Sequence, residues 1–308
     1  MTVSVRFAYW WPGFEPRSSF IFALIDSATK GPIEIVTDKR ARVDLEVHSV
    51  FTRNQSLRRQ ILRYVRSRSD WKEQVAWRQS RDYGIETQGP ADRHLWYTGE
   101  NLRPPTGWDI TLSFDTESFG GTNHYLPHWA IRTGALTGTT KRDMMSVGID
   151  SFLAQRTIRS LPPKFACVLA SNPHPMREHM VRALNEVGPV DTFGRAYGRP
   201  IESKRKLLAE YRFCITPEND LYPGYVTEKP FEAWLGQTIP IWWGIDSQEF
   251  LQTSALINVA TSSLTRSMET VANLNANPAE WMEVANQPLL QKSYDYEALI
   301  RFVEGRLR

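Results

Sequence analysis

The chain alternates between two hydrophobic rhythms. Short runs rich in β-branched and aromatic residues, at Val3 to Tyr9, Ile33 to Thr37, Val43 to Phe51, Arg93 to Thr98 and Asp109 to Phe114, read as strands in the first half. Lys164 to Ala170, Tyr211 to Thr216, Thr238 to Trp243 and Ala255 to Ala260 repeat the pattern in the second half. Between them apolar residues recur at helical spacing, over Ser18 to Ala28, Met176 to Val187, Lys204 to Tyr211 and the stretch from Thr227 to Gly236. A last helix, with Ser293 as its cap, carries Tyr296, Leu299, Ile300, Val303 and Leu307 along one stripe. Strands alternating with helices predict an α/β fold. The Gly- and Thr-rich run Gly134 to Arg142 and the triplet Leu161-Pro162-Pro163 interrupt regular structure, and a boundary between them divides the chain into residues 1–155 and 156–308.

Chemistry gathers most densely in residues 211–244, where strand, turn, helix and strand signals follow without a gap. Tyr222-Pro223-Gly224 puts Pro and Gly at the two central positions of a tight turn. Thr227 is the expected N-cap, and Pro230 falls in the first helical turn, where a missing N–H costs nothing. Glu218, Asn219, Tyr225, Glu228 and Lys229 surround that helix start. A helix N-terminus presents free N–H groups and partial positive charge, so together with Lys229 it suits phosphate, while Glu228 is placed to accept from sugar hydroxyls. Spacing alone favours an ordinary surface helix with a Glu-Lys pair. Upstream, the strand at Arg93 to Thr98 runs into Gly99-Glu100-Asn101, and carboxyl ends of strands in open α/β sheets are where active crevices form. Trp10-Trp11-Pro12-Gly13 breaks the first strand beside two large aromatic surfaces, which suit either sugar stacking or packing under the next helix.

The runs Pro217-Glu218-Asn219-Asp220, Gly224-Tyr225-Val226-Thr227-Glu228-Lys229 and Ile239-Pro240-Ile241-Trp242-Trp243-Gly244 resemble the donor-binding signature of glycosyltransferase family 10, the α-1,3/4-fucosyltransferases. Pro217 stands where that pattern has Phe, and Asp220 where it has Ser or Thr. The segment Tyr97 to Pro104 resembles the family's first-domain motif, whose Glu is the proposed general base, here Glu100. Ser171-Asn172-Pro173 followed by Arg177 is similar to its diphosphate-binding element, with one residue fewer in the loop. The resemblance runs from about residue 5 to residue 245 and implies a GT-B architecture, two Rossmann-like domains facing a central cleft, with the C-terminal helix crossing back. It implies an acceptor-binding first domain and a GDP-sugar-binding second one. The implied reaction is inverting transfer of L-fucose from GDP-fucose to O3 or O4 of GlcNAc or glucose in a glycan, with Glu100 catalytic. Arg177, Asn219, Tyr225, Glu228 and Lys229 would bind the donor, and Trp10 and Trp11 are acceptor candidates.

Composition narrows the field without naming a ligand. Across 308 residues, 41% apolar and 23% charged is the balance of a globular protein, and a formal charge of +3 suits an anionic substrate or a membrane surface. Cys167 and Cys214 sit inside expected strands and read as core residues of a reducing compartment. Asp115-Thr116-Glu117 is not a D-x-D motif and the six histidines show no ligand spacing, so neither an essential metal nor a cofactor is expected. The start MTVSVRFAYWW has no leader pattern and no stretch is long enough to span a bilayer, so a cytoplasmic protein is expected. Residues 53–68 place Arg59, Arg63 and Arg66 opposite Leu57, Ile61, Tyr64 and Val65, a basic amphipathic helix. Such a face fits solvent, or weak peripheral contact with the inner membrane surface. Two alternatives stay open: the same scaffold with another nucleotide-deoxysugar, or a basic membrane- or nucleic-acid-binding module.

Overall fold

The computed structural model describes residues 2–50, 87–136 and 147–308; the basic segment 53–68 and residues 137–142 of the Gly- and Thr-rich connection lie outside them. The chain forms two units, Met1–Pro127 with Asp295–Arg308, and His128–Tyr294. Each is built on a parallel sheet, as the alternation of strands and helices requires. In the first unit β1 (Val3–Ala8), β2 (Ile33–Ile35), β3 (Val43–His48), β4 (Ala91–Tyr97), β5 (Ile110–Ser113) and β6 (Asn123–Tyr125) lie in the order β2-β1-β3-β4-β5-β6. The order reverses at β1, which pairs with β2 on one side and β3 on the other. Such a reversal opens a crevice at the carboxyl ends of the two strands that flank it.

The helix Phe20–Thr29 turns Phe20, Ile21, Leu24, Ile25 and Ala28 inward, and starts where Ser19 Oγ accepts from Phe22 N at 3.1 Å. The terminal helix Tyr296–Leu307 returns to pack on it, with Lys30 Nζ 3.0 Å from Glu304. Its cap is Asp295 and not Ser293: the carboxylate accepts from Ala298 N at 2.8 Å, the reach of a cap over the first turn, while the Ser293 hydroxyl bonds Tyr294 O.

In the second unit β7 (Lys164–Leu169), β8 (Val190–Phe193), β9 (Tyr211–Pro217), β10 (Ile239–Trp243) and β11 (Ile257–Asn258) follow the order β11-β10-β9-β7-β8, all parallel. Here the reversal falls at β7, between β8 and β9. Cys167 and Cys214 face one another in register as free buried thiols, and burial pushes the Cys167 thiol up. The last strand is shorter than Ala255 to Ala260, because Thr253–Ala255 forms a 3-10 turn and the Asn258 side chain accepts from Ala260 N. Two further helices not expected from the periodicity, Leu264–Ala276 and Pro278–Ala285, lay Met268, Val271, Leu274 and Trp281 into the core. The boundary falls earlier than residue 155. Trp129 stacks on Phe231 at 5.0 Å and Phe152 meets the same ring edge-on at 5.1 Å, so both pack in the second unit, which begins at His128.

A buried row of charge crosses the first sheet. Arg6 and Glu46 are register partners on β1 and β3, with Nη1 2.7 Å from Oε2. The other carboxylate oxygen meets His48 Nε2 at 2.6 Å and accepts from Gln88 N at 2.8 Å. Burial opposes the charge on Glu46, but the bonds from His48, Gln88 and Arg6 prevail and lower its pKa to about 2. Burial outweighs the same carboxylate at His48 and holds the imidazole below its ordinary value of 6.5. Both groups therefore take up protons more readily unfolded than folded, His48 below about pH 6.5 and Glu46 below about 4.5. Stability contributed by the pair is present at neutral pH and lost as pH falls. Calorimetric melting is expected to move steadily downward from pH 7 to pH 3; a transition unchanged over that range would contradict this reading.

Candidate functional site

The crevice at the reversal of the second sheet is shaped by a carboxylate at the end of β9. Glu218 has no solvent exposure and gathers four donors: Thr227 N at 2.9 Å, Thr227 Oγ1 at 2.6 Å, Lys229 Nζ at 2.8 Å and Trp242 Nε1 at 3.2 Å. The turn before them is the one the sequence predicts, with Gly224 at φ 85° and Tyr225 N donating to Tyr222 O at 3.1 Å. Trp242 reaches Glu218 with its ring across Gly244, where an added Cβ would lie 2.2 Å from the indole. Thr227 is not the helix cap. Its hydroxyl is committed to Glu218, the helix spans Lys229–Leu235, and Glu228 occupies the cap position without a side-chain cap bond. A charged acceptor in a buried site outcompetes the helix's own N–H groups for that hydroxyl.

Arg177 comes from the first turn of the helix Pro175–Asn185, which follows β7. It is 6% exposed and donates from Nη1 to Asn172 O at 2.6 Å; among the described residues it makes no salt bridge. Burial lowers its pKa. Arg177 and Lys229 line one pocket with Leu169, the end of β9 from Cys214 to Pro217, and Glu232. Two cations converge there at the carboxyl ends of β7 and β9, one held by Glu218 and the other, among the described residues, in no salt bridge. Buried charge in that condition calls for an anion.

The other residues singled out from sequence divide between the units. Glu228 lies 2.8 Å through Oε2 from His128 Nδ1, both partly buried. Burial opposes its charge, but the His128 bond and the charges of His128 and Lys229 hold the carboxyl well below its usual range. Asn219 is exposed just after β9, and its carbonyl meets His174 Nε2 at 3.1 Å. The Tyr225 side chain is only 2% exposed. In the first unit Glu100 sits exposed in the loop after β4, its N–H bonded to Thr98 Oγ1 at 2.9 Å. The following Arg103 pairs with Asp115 at 2.7 Å and stiffens that loop. Trp10 donates to Val47 O at 3.1 Å and stacks on Phe14 at 4.1 Å, whereas Trp11 is 38% exposed. Glu218 and His128 carry roles that local sequence does not assign; the E-N and Y-V-T-E-K spacing points to the first, and no pattern points to the second.

Glu218→Ala leaves the Lys229 ammonium, the Thr227 N–H and the Trp242 N–H without their shared acceptor. Loss of roughly 3 kcal/mol is expected by chemical denaturation, with Glu218→Gln between this and wild type; a loss below about 1 kcal/mol would mean the hub is dispensable.

Residues 162–286 match the family model described as "Glycosyltransferase family 10 (fucosyltransferase) C-term". Over 87 residues, 27% of this chain, the sequence is 40% identical to the alpha-(1,3)-fucosyltransferase FucT of Helicobacter pylori and 30% identical to the putative fucosyltransferase R654 of Acanthamoeba polyphaga mimivirus. The matched stretch spans 18% and 14% of those two proteins. A crystal structure of an alpha1,3-fucosyltransferase superposes over 99% of this chain and 90% of its own, with a TM-score of 0.70 at 20% identity. An alpha1,3-fucosyltransferase structure with GDP-fucose gives 0.68 at 19% identity, over 100% of this chain and 90% of its own. The fold is thus that of a GT-B fucosyltransferase, two Rossmann-like α/β units. Among the described residues, no helix is long and apolar enough to cross a membrane. Both cations and their carboxylate hub fall inside the segment, residues 162–286, that matches the family model.

Proposed function

We propose that this protein is an inverting fucosyltransferase that uses GDP-fucose as donor. The observation that carries the reading is Arg177, a buried guanidinium without a salt bridge among the described residues, in one pocket with Lys229 where the sheet order reverses. A diphosphate supplies the counter-charge through charge-assisted bonds. The family match on the unit that holds both cations supports a nucleotide-sugar over other anions.

In the proposed step Glu100 takes the proton of an acceptor hydroxyl while that oxygen attacks the anomeric carbon of fucose. The bond to the β-phosphate oxygen breaks, GDP leaves, and the configuration inverts from β-L to α-L. Arg177 and Lys229 stabilise the charge that grows on the leaving diphosphate. Fixed side-chain charge does there what a divalent ion does in other transferases, so transfer is expected to persist under chelation. Glu228 receives the ribose hydroxyls and Asn219 meets the sugar side; Tyr225, with its ring buried, acts by fixing the turn. The acceptor is a glycan hydroxyl, O3 or O4 of GlcNAc or glucose, with the exposed face of Trp11 and the neighbouring Trp10 on its side. A second reading keeps the scaffold and changes the nucleotide-deoxysugar, because Pro217 and Asp220 replace the family's Phe and Ser or Thr.

Transfer assays with GDP-fucose and other nucleotide-deoxysugars, with and without chelator, separate these readings. Glu100→Gln is expected to bind GDP-fucose as wild type does and to lose about 10²–10⁴-fold in turnover. Full activity of that variant would remove Glu100 as the base, and transfer only from another nucleotide sugar would select the second reading.

A further inference from the structure

Glu228 occupies a helix cap position yet does not cap the helix. A carboxylate there ordinarily accepts from the N–H groups of the first turn; here Oε2 lies 2.8 Å from His128 Nδ1 instead. Held ionised, the carboxylate only accepts, so Nδ1 carries the proton. The geometry is set from below. Trp129, next in the chain to His128, is wholly buried and stacked at 5.0 Å and 17° on Phe231, three residues beyond Glu228 on the same helix. Imidazole and carboxylate are therefore delivered to each other by one aromatic stack, and each still reaches solvent, 16% exposed for His128 and 24% for Glu228.

We infer that His128 is a positioning residue of the donor site: it holds the Glu228 carboxylate off the N–H groups of its own helix and fixes its direction, so that it accepts the vicinal hydroxyls of a ribose. The inference rests on the GDP-sugar reading of the site. Without the imidazole the carboxylate is free to fold back onto the helix N–H groups, and the ribose loses its acceptor. His128 itself need not touch the ligand. Asn at this position keeps the bond, since its amide Nδ2 takes the place of Nδ1.

Calorimetric titration of GDP and of 2′,3′-dideoxy-GDP into wild type, His128→Ala, His128→Asn, Glu228→Gln and the Ala–Gln double variant tests it. His128→Ala is expected to weaken GDP by about 5- to 30-fold, the range of a lost charge-assisted bond. It should leave dideoxy-GDP unchanged and add nothing in the Glu228→Gln background. In turnover the loss should appear in KM for GDP-fucose and spare kcat, and His128→Asn should restore it. Should His128→Ala not fold, His128→Phe keeps the ring and removes the donor, and the same comparisons apply. The inference is overturned if Asn binds as weakly as Ala, if both nucleotides weaken alike, or if the two substitutions add. Tight GDP binding by wild type and by His128→Ala alike would remove His128 and leave the donor reading standing; failure of wild type to bind any guanine nucleotide would remove both.

Discussion

Glu218 is the contact on which the second unit's strand ends depend. A carboxylate with no exposure to water is costly unless its lone pairs find donors, and here the backbone N–H and the hydroxyl of Thr227, the Lys229 ammonium and the Trp242 indole meet that demand. Because those donors come from the loop, the helix start and β10, one side chain ties three segments together. It also explains the local sequence. Thr227 serves Glu218 and not the helix, Gly244 makes room for the Trp242 ring, and the Pro223-Gly224 turn returns the chain so that Thr227 and Lys229 arrive on the same acceptor.

The two cations of the pocket differ in kind. Lys229 is held by Glu218 and Thr227, so part of its charge is answered within the protein and its direction is set before a ligand arrives. Arg177 bonds a backbone carbonyl and makes no salt bridge among the described residues; Tyr197 and Glu178 offset only part of the cost of burying its charge. Preorganised charge of this sort costs nothing further when a leaving group turns negative, which is why positioned side chains serve phosphate chemistry well. His128 extends the same logic to Glu228, a carboxylate turned away from its own helix by a neighbour placed through Trp129 and Phe231.

Much of this was legible in the chain. β9, the Tyr222–Gly224 turn, the helix ending at Gly236 and β10 appear within a residue or two of expectation, because strong β-formers, Pro-Gly and a closing glycine agree locally. What failed was competition between local and distant partners. Thr227 looked like a cap because nothing local shows that Glu218, nine residues earlier, claims its hydroxyl. Ser293 lost its cap role to Asp295, and the boundary moved because Trp129 and Phe152 are committed to Phe231, a contact no composition shift announces. Helices Leu264–Ala276 and Pro278–Ala285 do carry capping residues, Ser263 and Asn277, which outlined them all along.

The central claim is that the Glu218-anchored pocket binds a guanine nucleotide diphosphate through Arg177 and Lys229. Titration of GDP into wild type and Arg177→Ala by calorimetry, at fixed ionic strength and with UDP as control, tests it most directly. Saturable binding of GDP in preference to UDP, weakened tenfold or more in the variant, is the predicted result, about 1.4 kcal/mol or more at that site. Equal affinity in the two proteins, or binding indifferent to the base and diphosphate, would contradict it.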